Sequence, residues 1–271
     1  MADGGTQKSE LARVDDGASP ASGVLRLDPS QPWPEVLYRF VEHYRWEPHH
    51  LCLGQPIEAF YRRIRRQEVP LNFALDLLLA WLSPETIRSL LVPFGLPGDC
   101  LGGEVLRPCF PLDVGYTQPD VSLLSDRHRV FIELKWNAQV TLEQVQKYLL
   151  LHADLDGSDG HRQPFLLFLT KDAFWRSWKP RGDIGADADP GEYLKAVLPT
   201  SRLPGGLSER VTNEAYRAVI GTVTFGFVAW RAFAAHLVGQ VIPQLDAAGR
   251  VAEHAAVVGF AADLRRRLAE G

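Results

Sequence analysis

The feature that most limits the fold is the stretch PDVSLLSDRHRVFIELKW, whose pattern predicts two strands joined by a tight turn. Successive side chains of VFIELKW alternate between two faces, as in a β-strand, so that Glu133 and Lys135 point the same way. A turn at the polar segment SDRH, Ser125 to His128, places Asp120 directly opposite Glu133. The chain is therefore expected to build a sheet around this hairpin.

Two carboxylates opposite each other raise the free energy of the sheet unless a positive charge lies between them. A hard divalent cation such as Mg²⁺ fits that place, because it prefers carboxylate and carbonyl oxygens and keeps open positions for phosphate and water. Lys135, on the same face as Glu133, can orient a water or stabilise charge that develops on a phosphate. The alternative is an ordinary charge pair on a half-exposed strand, since Glu-x-Lys is a common tripeptide.

A helix is predicted directly after the hairpin, from Leu142 to about His152, with Thr141 as its N-cap. Gln144 and Tyr148 are spaced i, i+4 and so share one face of this helix. An amide and a phenol at a helix start can bind a phosphodiester backbone. The alternative is a capping box of Thr141 with Gln144, next to an interfacial tyrosine.

Together these residues resemble the PD-(D/E)xK nuclease superfamily, in the branch of RecB-like nucleases and lambda-type exonucleases with a trailing Gln-xxx-Tyr motif. The resemblance is carried by Asp120, by Glu133-Leu134-Lys135 and by Gln144 with Tyr148. It implies an α/β (α+β) fold with a restriction-endonuclease-like core, in which helices flank a mixed central β-sheet and further helices are added at both ends.

The resemblance also implies roles for individual residues. Asp120, Glu133 and the backbone carbonyl of Leu134 would bind Mg²⁺, for which Mn²⁺ can substitute, and Lys135 would be the catalytic lysine. Gln144 and Tyr148 would contact DNA or organise the site. Three scattered cysteines do not provide the four that the iron–sulfur members of the superfamily need, so no cluster is expected.

Many members of the superfamily place a further glutamate at the start of the helix before the hairpin. The sequence EVPLNFALDLLLAWL points to Glu68 for that role, and Glu104, just before the first predicted strand, is the competitor. The run YRRIRR adds a cluster of arginines, of which Arg62 and Arg63 are predicted to contact the DNA backbone. The alternative for these arginines is a solvated helix face.

Residues 1–30 are rich in Gly, Ser, Ala and Asp and are predicted to form a flexible tail. Residues 31–271 are predicted to form a single domain with a core at about 68–235 and C-terminal helices at about 230–270. Apolar spacing further predicts helices in PEVLYRFVEHYR, PIEAFYRRIRR, LNFALDLLLAWL and SPETIRSLLVPFG; strands in EVLRPCF, PFLLFLTKD and VIGTVTFGFVAW; and closing helices in RAFAAHLVGQVIPQL and RVAEHAAVVGFAADLRRRL. No elements are assigned between Asp172 and Asn213.

Composition limits the function classes. The net charge of −4 argues against binding polyanions over the whole surface, so DNA contact has to be local. Three cysteines form no disulfide framework, which favours the cytoplasm, and no apolar run is long enough to cross a membrane.

The expected function is that of a Mg²⁺-dependent deoxyribonuclease in bacterial defence or DNA processing. RNA is the second candidate substrate, and a homo-oligomer or a partner protein would supply specificity. The alternative function is a non-catalytic nucleic-acid-binding or protein-interaction module on the same fold. Endonuclease and exonuclease action, and the sequence specificity, stay open at this point.

Overall fold

The structure is a computed structural model that describes residues 32–38, 62, 64–95, 107–109, 117–136, 140–159, 162–170, 189–201, 203 and 213–270. All of these residues belong to one compact unit, Pro32–Gly271. The predicted tail at residues 1–30 lies outside the described residues, and so do Arg63 and Glu104.

A mixed five-stranded sheet forms the centre of this unit, with its strands in chain order. The strands are β1 (Arg107–Cys109), β2 (Val121–Leu124), β3 (His128–Leu134), β4 (Gln163–Thr170) and β5 (Thr224–Ala229). Strands β1, β2 and β3 pair antiparallel, whereas β3, β4 and β5 pair parallel. The prediction of a mixed sheet flanked by helices is thus confirmed at this level.

The register of the hairpin formed by β2 and β3 agrees with the prediction from the turn. Val121 pairs with Ile132 and Leu124 pairs with Arg129, so that the next position outward brings Asp120 towards Glu133. The turn is closed by the Ser125 N–H, which donates to the His128 carbonyl at 2.9 Å.

Helices flank both faces of the sheet. Residues 33–38 are helical, and the helices that follow are α1 (Glu68–Trp81), α2 (Pro84–Leu91), α3 (Leu142–Asp159), α4 (Pro190–Val197), α5 (Asn213–Thr222), α6 (Trp230–His236), α7 (Ile242–Ala247) and α8 (Val251–Glu270). A π-helical turn, Leu237–Val241, joins α6 to α7. Within the described ranges, no helix combines the length and the apolar composition that crossing a membrane requires.

Two hydrophobic cores lie on the two faces of the sheet, because alternate residues of each central strand point to opposite sides. Ile132 and Leu134 face the core that contains residues of α1, α2, α6 and α8. Phe131 faces the core that contains residues of α3, α4 and α5. Every residue of β3 is buried, which makes this strand the rigid centre on which the candidate site is built.

Two parts of the fold differ from the prediction. The strand expected from Val219 begins only at Thr224, because Val219 and Ile220 continue α5 and pack with Tyr216 into one core at helical spacing. Helix α4 lies inside the segment to which no elements were assigned, and Asp189 caps it by accepting from two backbone N–H groups. Local apolar content alone did not separate helix from strand after Val219, and it did not predict helix α4.

Candidate active site

The candidate site lies at the end of the sheet where β3 ends and the chain leads into β2. Glu133 is near the end of β3, Lys135 follows that strand, and Asp120 comes directly before β2. Helix α1 reaches this end with Glu68, its first residue, and α3 reaches it with its first turns. Elements from both faces of the sheet therefore meet at one point.

The Asp120 carboxylate is held from two sides. Its Oδ2 accepts a hydrogen bond from the backbone N–H of Leu134 at 2.8 Å. Its Oδ1 accepts from the Nδ2 of Asn72, in α1, at 2.6 Å. Strand β3 and helix α1 therefore fix the carboxylate jointly.

The Glu133 carboxylate is almost completely buried, with 2% of its side chain exposed. Its Oε1 lies 2.5 Å from the Lys135 ammonium and also accepts from the Nε2 of Gln144. Its Oε2 accepts from the hydroxyl of Tyr148. Gln144 and Tyr148 therefore project from one face of α3 as predicted, and the group that both contact is Glu133.

This contact corresponds to one of the two roles that the resemblance allowed, organisation of the site. Gln144 does not close a capping box, because its side chain reaches Glu133, although its backbone N–H does donate to Thr141 Oγ1 at 3.2 Å. Tyr148 is buried, and its hydroxyl also lies 3.4 Å from the Gln118 carbonyl. Direct contact of Gln144 and Tyr148 with DNA stays a prediction.

The Lys135 ammonium bridges two carboxylates, Glu133 at 2.5 Å and Glu68 at 3.3 Å. The backbone of Lys135 is fixed as well, since its N–H donates to the Leu169 carbonyl of β4 and its carbonyl accepts from the Trp230 indole at 2.9 Å. These contacts fix the backbone and the side-chain conformation of Lys135, with its ammonium directed at Glu133 and Glu68.

Glu68 belongs to the site, 67 residues before Lys135 in the chain. Its Oε1 faces the Lys135 ammonium, while its Oε2 accepts from the backbone N–H of Trp136 at 2.9 Å. A carboxylate is favourable in the first turn of α1 because it lies at the positive end of the helix dipole. Pro70, in the same turn, needs no hydrogen-bond donor there.

Burial and crowding of charge change the protonation of the site. Burial raises the pKa of Asp120 to about 8, and the nearby charge of Glu133 adds to this rise, against the Leu134 N–H and Lys135. Burial also raises the pKa of Glu133, although Lys135 and Tyr148 act against it. Burial would lower the pKa of Lys135, but the adjacent carboxylates outweigh it and raise that pKa, so the lysine stays charged.

The sequence did not predict the participation of Asn72. Asn72 lies four residues after Glu68, so the two side chains share one face of α1. Its Oδ1 is buried and has no hydrogen-bond partner in the described part of the chain. The one sequence signal for Asn72 was its i, i+4 spacing from Glu68. That spacing predicts a role for Asn72 only if Glu68 itself is known to lie at the site.

The oxygen groups that the structure describes at the site have the chemistry of ligands for a divalent cation, but they are not arranged around a metal position. In the described ranges, no group of three or more His, Cys, Asp or Glu side chains is arranged to hold a metal ion. The Glu133 oxygens face three protein donors instead. However, the oxygens of Glu68, Asp120, Glu133 and Asn72 are of the hard type that Mg²⁺ prefers, and the Lys135 ammonium lies between two of the carboxylates, Glu68 and Glu133. The donor type therefore fits such a cation, whose charge would also favour the ionised forms of Asp120 and Glu133 that burial disfavours.

The arginine cluster divides into different roles. Arg65 is buried and pairs with Glu35 at 2.5 Å and also with Glu270, so it joins the helical segment at residues 33–38 to α8. Arg62 is exposed, and Arg63 lies outside the described residues. The DNA contact of Arg62 and Arg63 stays a prediction.

Comparison of the chain with protein-family models, with curated proteins and with solved structures found no match. What the site can do is therefore inferred from its own geometry and charges, together with the motif resemblance. Its main elements are the buried Glu133 carboxylate near the end of β3, the half-buried Asp120 carboxylate directly before β2, and a lysine held between carboxylates.

Proposed function

We propose that the protein is a Mg²⁺-dependent nuclease with a restriction-endonuclease-like core that hydrolyses phosphodiester bonds in DNA. The observation that carries the proposal is the position of Lys135, whose ammonium lies 2.5 Å from buried Glu133, on the strand next to Asp120. A surface charge pair would be solvated, whereas this lysine has only 11% of its side chain exposed. Its burial among carboxylates supports a catalytic role over the surface alternative.

Each residue has a distinct task in this proposal. Asp120, Glu133 and the Leu134 carbonyl would hold the cation. When bound, Mg²⁺ would offset the negative charge, polarise the scissile phosphate and lower the pKa of an attacking water. Lys135 stays protonated, so it orients that water or stabilises charge that develops on the phosphate, and does not act as a base.

Three other residues support this arrangement. Gln144 and Tyr148 donate to opposite oxygens of Glu133 and so fix the rotation of its carboxylate. Glu68 accepts from the Lys135 ammonium and limits where that charge can lie. Such support matters because a displacement of about 1 Å in a catalytic group can lower the rate about a hundredfold.

The test uses purified protein with linear duplex, circular duplex and single-stranded DNA, and with RNA, each with Mg²⁺ or Mn²⁺. We expect cleavage of DNA that falls by at least about a hundredfold in Asp120→Asn and Lys135→Met. Lys195→Met is the matched control, since Lys195 is exposed on α4 and pairs weakly with Glu192 at 4.0 Å. Equal cleavage by the wild type and both site variants would refute the proposal.

The second candidate is a non-catalytic nucleic-acid-binding or protein-interaction module on the same fold. The observation that favours it is the occupation of both Glu133 oxygens by Lys135, Gln144 and Tyr148, which a purely structural polar cluster would also show. Thermal unfolding with and without Mn²⁺ separates the two functions. Stabilisation by Mn²⁺ that disappears in Glu133→Ala supports the nuclease. A protein that binds DNA but neither cleaves it nor is stabilised by Mn²⁺ supports the module.

A further inference from the structure

Asn72 lies on the face of α1 that reaches the candidate site. Glu68 and Asn72 are one helical turn apart, and both make hydrogen bonds to groups at the end of the sheet. The neighbouring residue Phe73 points elsewhere, since 48% of it is exposed. The helix therefore directs Asn72 specifically at the carboxylates.

The two ends of the Asn72 amide differ in their surroundings. The Nδ2 end donates to Asp120 Oδ1 at 2.6 Å, across 48 residues of sequence. The Oδ1 end is buried and has no hydrogen-bond partner in the part of the chain that the structure describes. Because both ends belong to one amide, this unsatisfied oxygen lies on the same carbon as the nitrogen that contacts Asp120.

An unsatisfied buried acceptor is rare in folded proteins, because it loses its hydrogen bonds to water without replacement. A residue that served only to hold Asp120 would need a donor and no buried oxygen. An amide oxygen is also a neutral ligand for Mg²⁺ or Mn²⁺. It would add no negative charge to a site that already contains Glu68, Asp120 and Glu133.

We propose that Asn72 is a further ligand of the divalent cation, which it binds through Oδ1 while its Nδ2 positions Asp120. This inference rests on the proposed function, since it requires a cation at the site. It assigns two tasks to one side chain, and each task uses a different end of the amide.

The test measures binding of Mn²⁺ alone, by electron paramagnetic resonance titration without DNA. The variants are Asn72→Ala, which lacks both ends of the amide, and Asn72→Asp, which keeps an oxygen ligand but loses the donor to Asp120. Phe73→Ala is the matched control on the same helix. Loss of a residue that orients a metal ligand typically lowers metal affinity about 10- to 100-fold.

We expect Asn72→Ala to bind Mn²⁺ at least about tenfold more weakly than the wild type, in line with such losses. Asn72→Asp loses the same donor to Asp120 but keeps an oxygen ligand, so it should bind Mn²⁺ at least about tenfold more tightly than Asn72→Ala. Circular dichroism should be unchanged in every variant, and Phe73→Ala should bind like the wild type. A purely structural role would weaken binding equally in Asn72→Ala and Asn72→Asp, and that result would overturn the ligand assignment.

The same experiment separates failure of this inference from failure of the proposed function. Wild-type binding that is lost in Asp120→Ala but unchanged in Asn72→Ala would overturn the role of Asn72 and leave the nuclease proposal intact. Absence of Mn²⁺ binding by the wild type would overturn both. Should Asn72→Ala not fold, Asn72→Leu, which has a similar size but no ligand oxygen and no donor, takes its place in the comparison with Asn72→Asp.

Discussion

Replacement of Asp120 by asparagine should stabilise the cation-free protein, and more strongly as the pH rises. Burial and the charge of Glu133 raise the pKa of Asp120 from 3.8 to about 8. Between these two values the folded state keeps a proton that the unfolded state has lost, so the free energy of unfolding falls as the pH increases. Asparagine has no such proton to lose.

The magnitude follows from the interval between the two pKa values. Each pH unit within that interval lowers the unfolding free energy of the wild type by at most about 1.4 kcal/mol. The loss sums to roughly 5 kcal/mol at pH 8 and above. Asp120 accepts from Asn72 and from the Leu134 N–H at two different oxygens, whereas asparagine has only one oxygen, so one of these bonds is lost at a cost of about 1–3 kcal/mol. The two proteins should therefore be similarly stable near pH 5, and the variant should be more stable by several kcal/mol at pH 8.

The assay is urea unfolding followed by circular dichroism at pH 5, 6, 7 and 8, in the presence of a chelator. Asp246→Asn is the control, because Asp246 is exposed on α7 and its replacement should shift stability by no more than about 0.5 kcal/mol at any of these pH values. Saturating Mn²⁺ should reverse the order at pH 8, since the ion would stabilise only the protein that can bind it.

A difference in unfolding free energy that stays constant from pH 5 to 8 would refute this reasoning. So would a wild type that gains on the variant as the pH rises in the chelator. Either result would mean that Asp120 does not carry the cost of a buried charge in the folded state.

Four other substitutions test individual contacts of the site and of the fold. Tyr148→Phe removes a donor from a buried carboxylate and should cost about 1–3 kcal/mol in urea unfolding; an unchanged midpoint would contradict that contact. Gly226→Ala places a Cβ 2.8 Å from a backbone carbonyl and should lower the unfolding free energy by about 1–3 kcal/mol. Gly221→Ala, in an open helical position, should instead raise it by up to about 1 kcal/mol. Equal effects of the two substitutions would contradict the close packing at β5. Arg267→Ala leaves fully buried Asp263 without its ion pair and should lower the unfolding free energy by about 3–5 kcal/mol; a loss below 1 kcal/mol would contradict that pairing.

The sequence predicted the hairpin and its register because both depend on local chemistry. The polar turn after Leu124 and the alternation along β3 favour one pairing, because a slip of one residue would turn Glu133 towards the apolar core that Ile132 and Leu134 face. The approach of Asp120 to Glu133 follows from that register. The helix after the hairpin was equally local, since Thr141 caps it and its apolar residues recur at helical spacing.

The boundary between α5 and β5 was harder to predict from the sequence. Val219 to Trp230 is rich in β-branched and aromatic residues, which favour strands, yet its first four residues end a helix. Tyr216, Val219 and Ile220 are buried together in the core beside the sheet. That tertiary packing determined the helix, against the local preference of the β-branched residues.

By itself the sequence determined which residues of the hairpin face each other, because strand register is fixed by turn chemistry and alternation over a few residues. Only the tertiary structure decided what meets them there. Helix α1 brings Asn72 and Glu68 to the end of the sheet, and α3 turns Tyr148 onto Glu133. These contacts join groups far apart in the chain, and they depend on how whole helices pack on the two cores, which local sequence patterns do not specify.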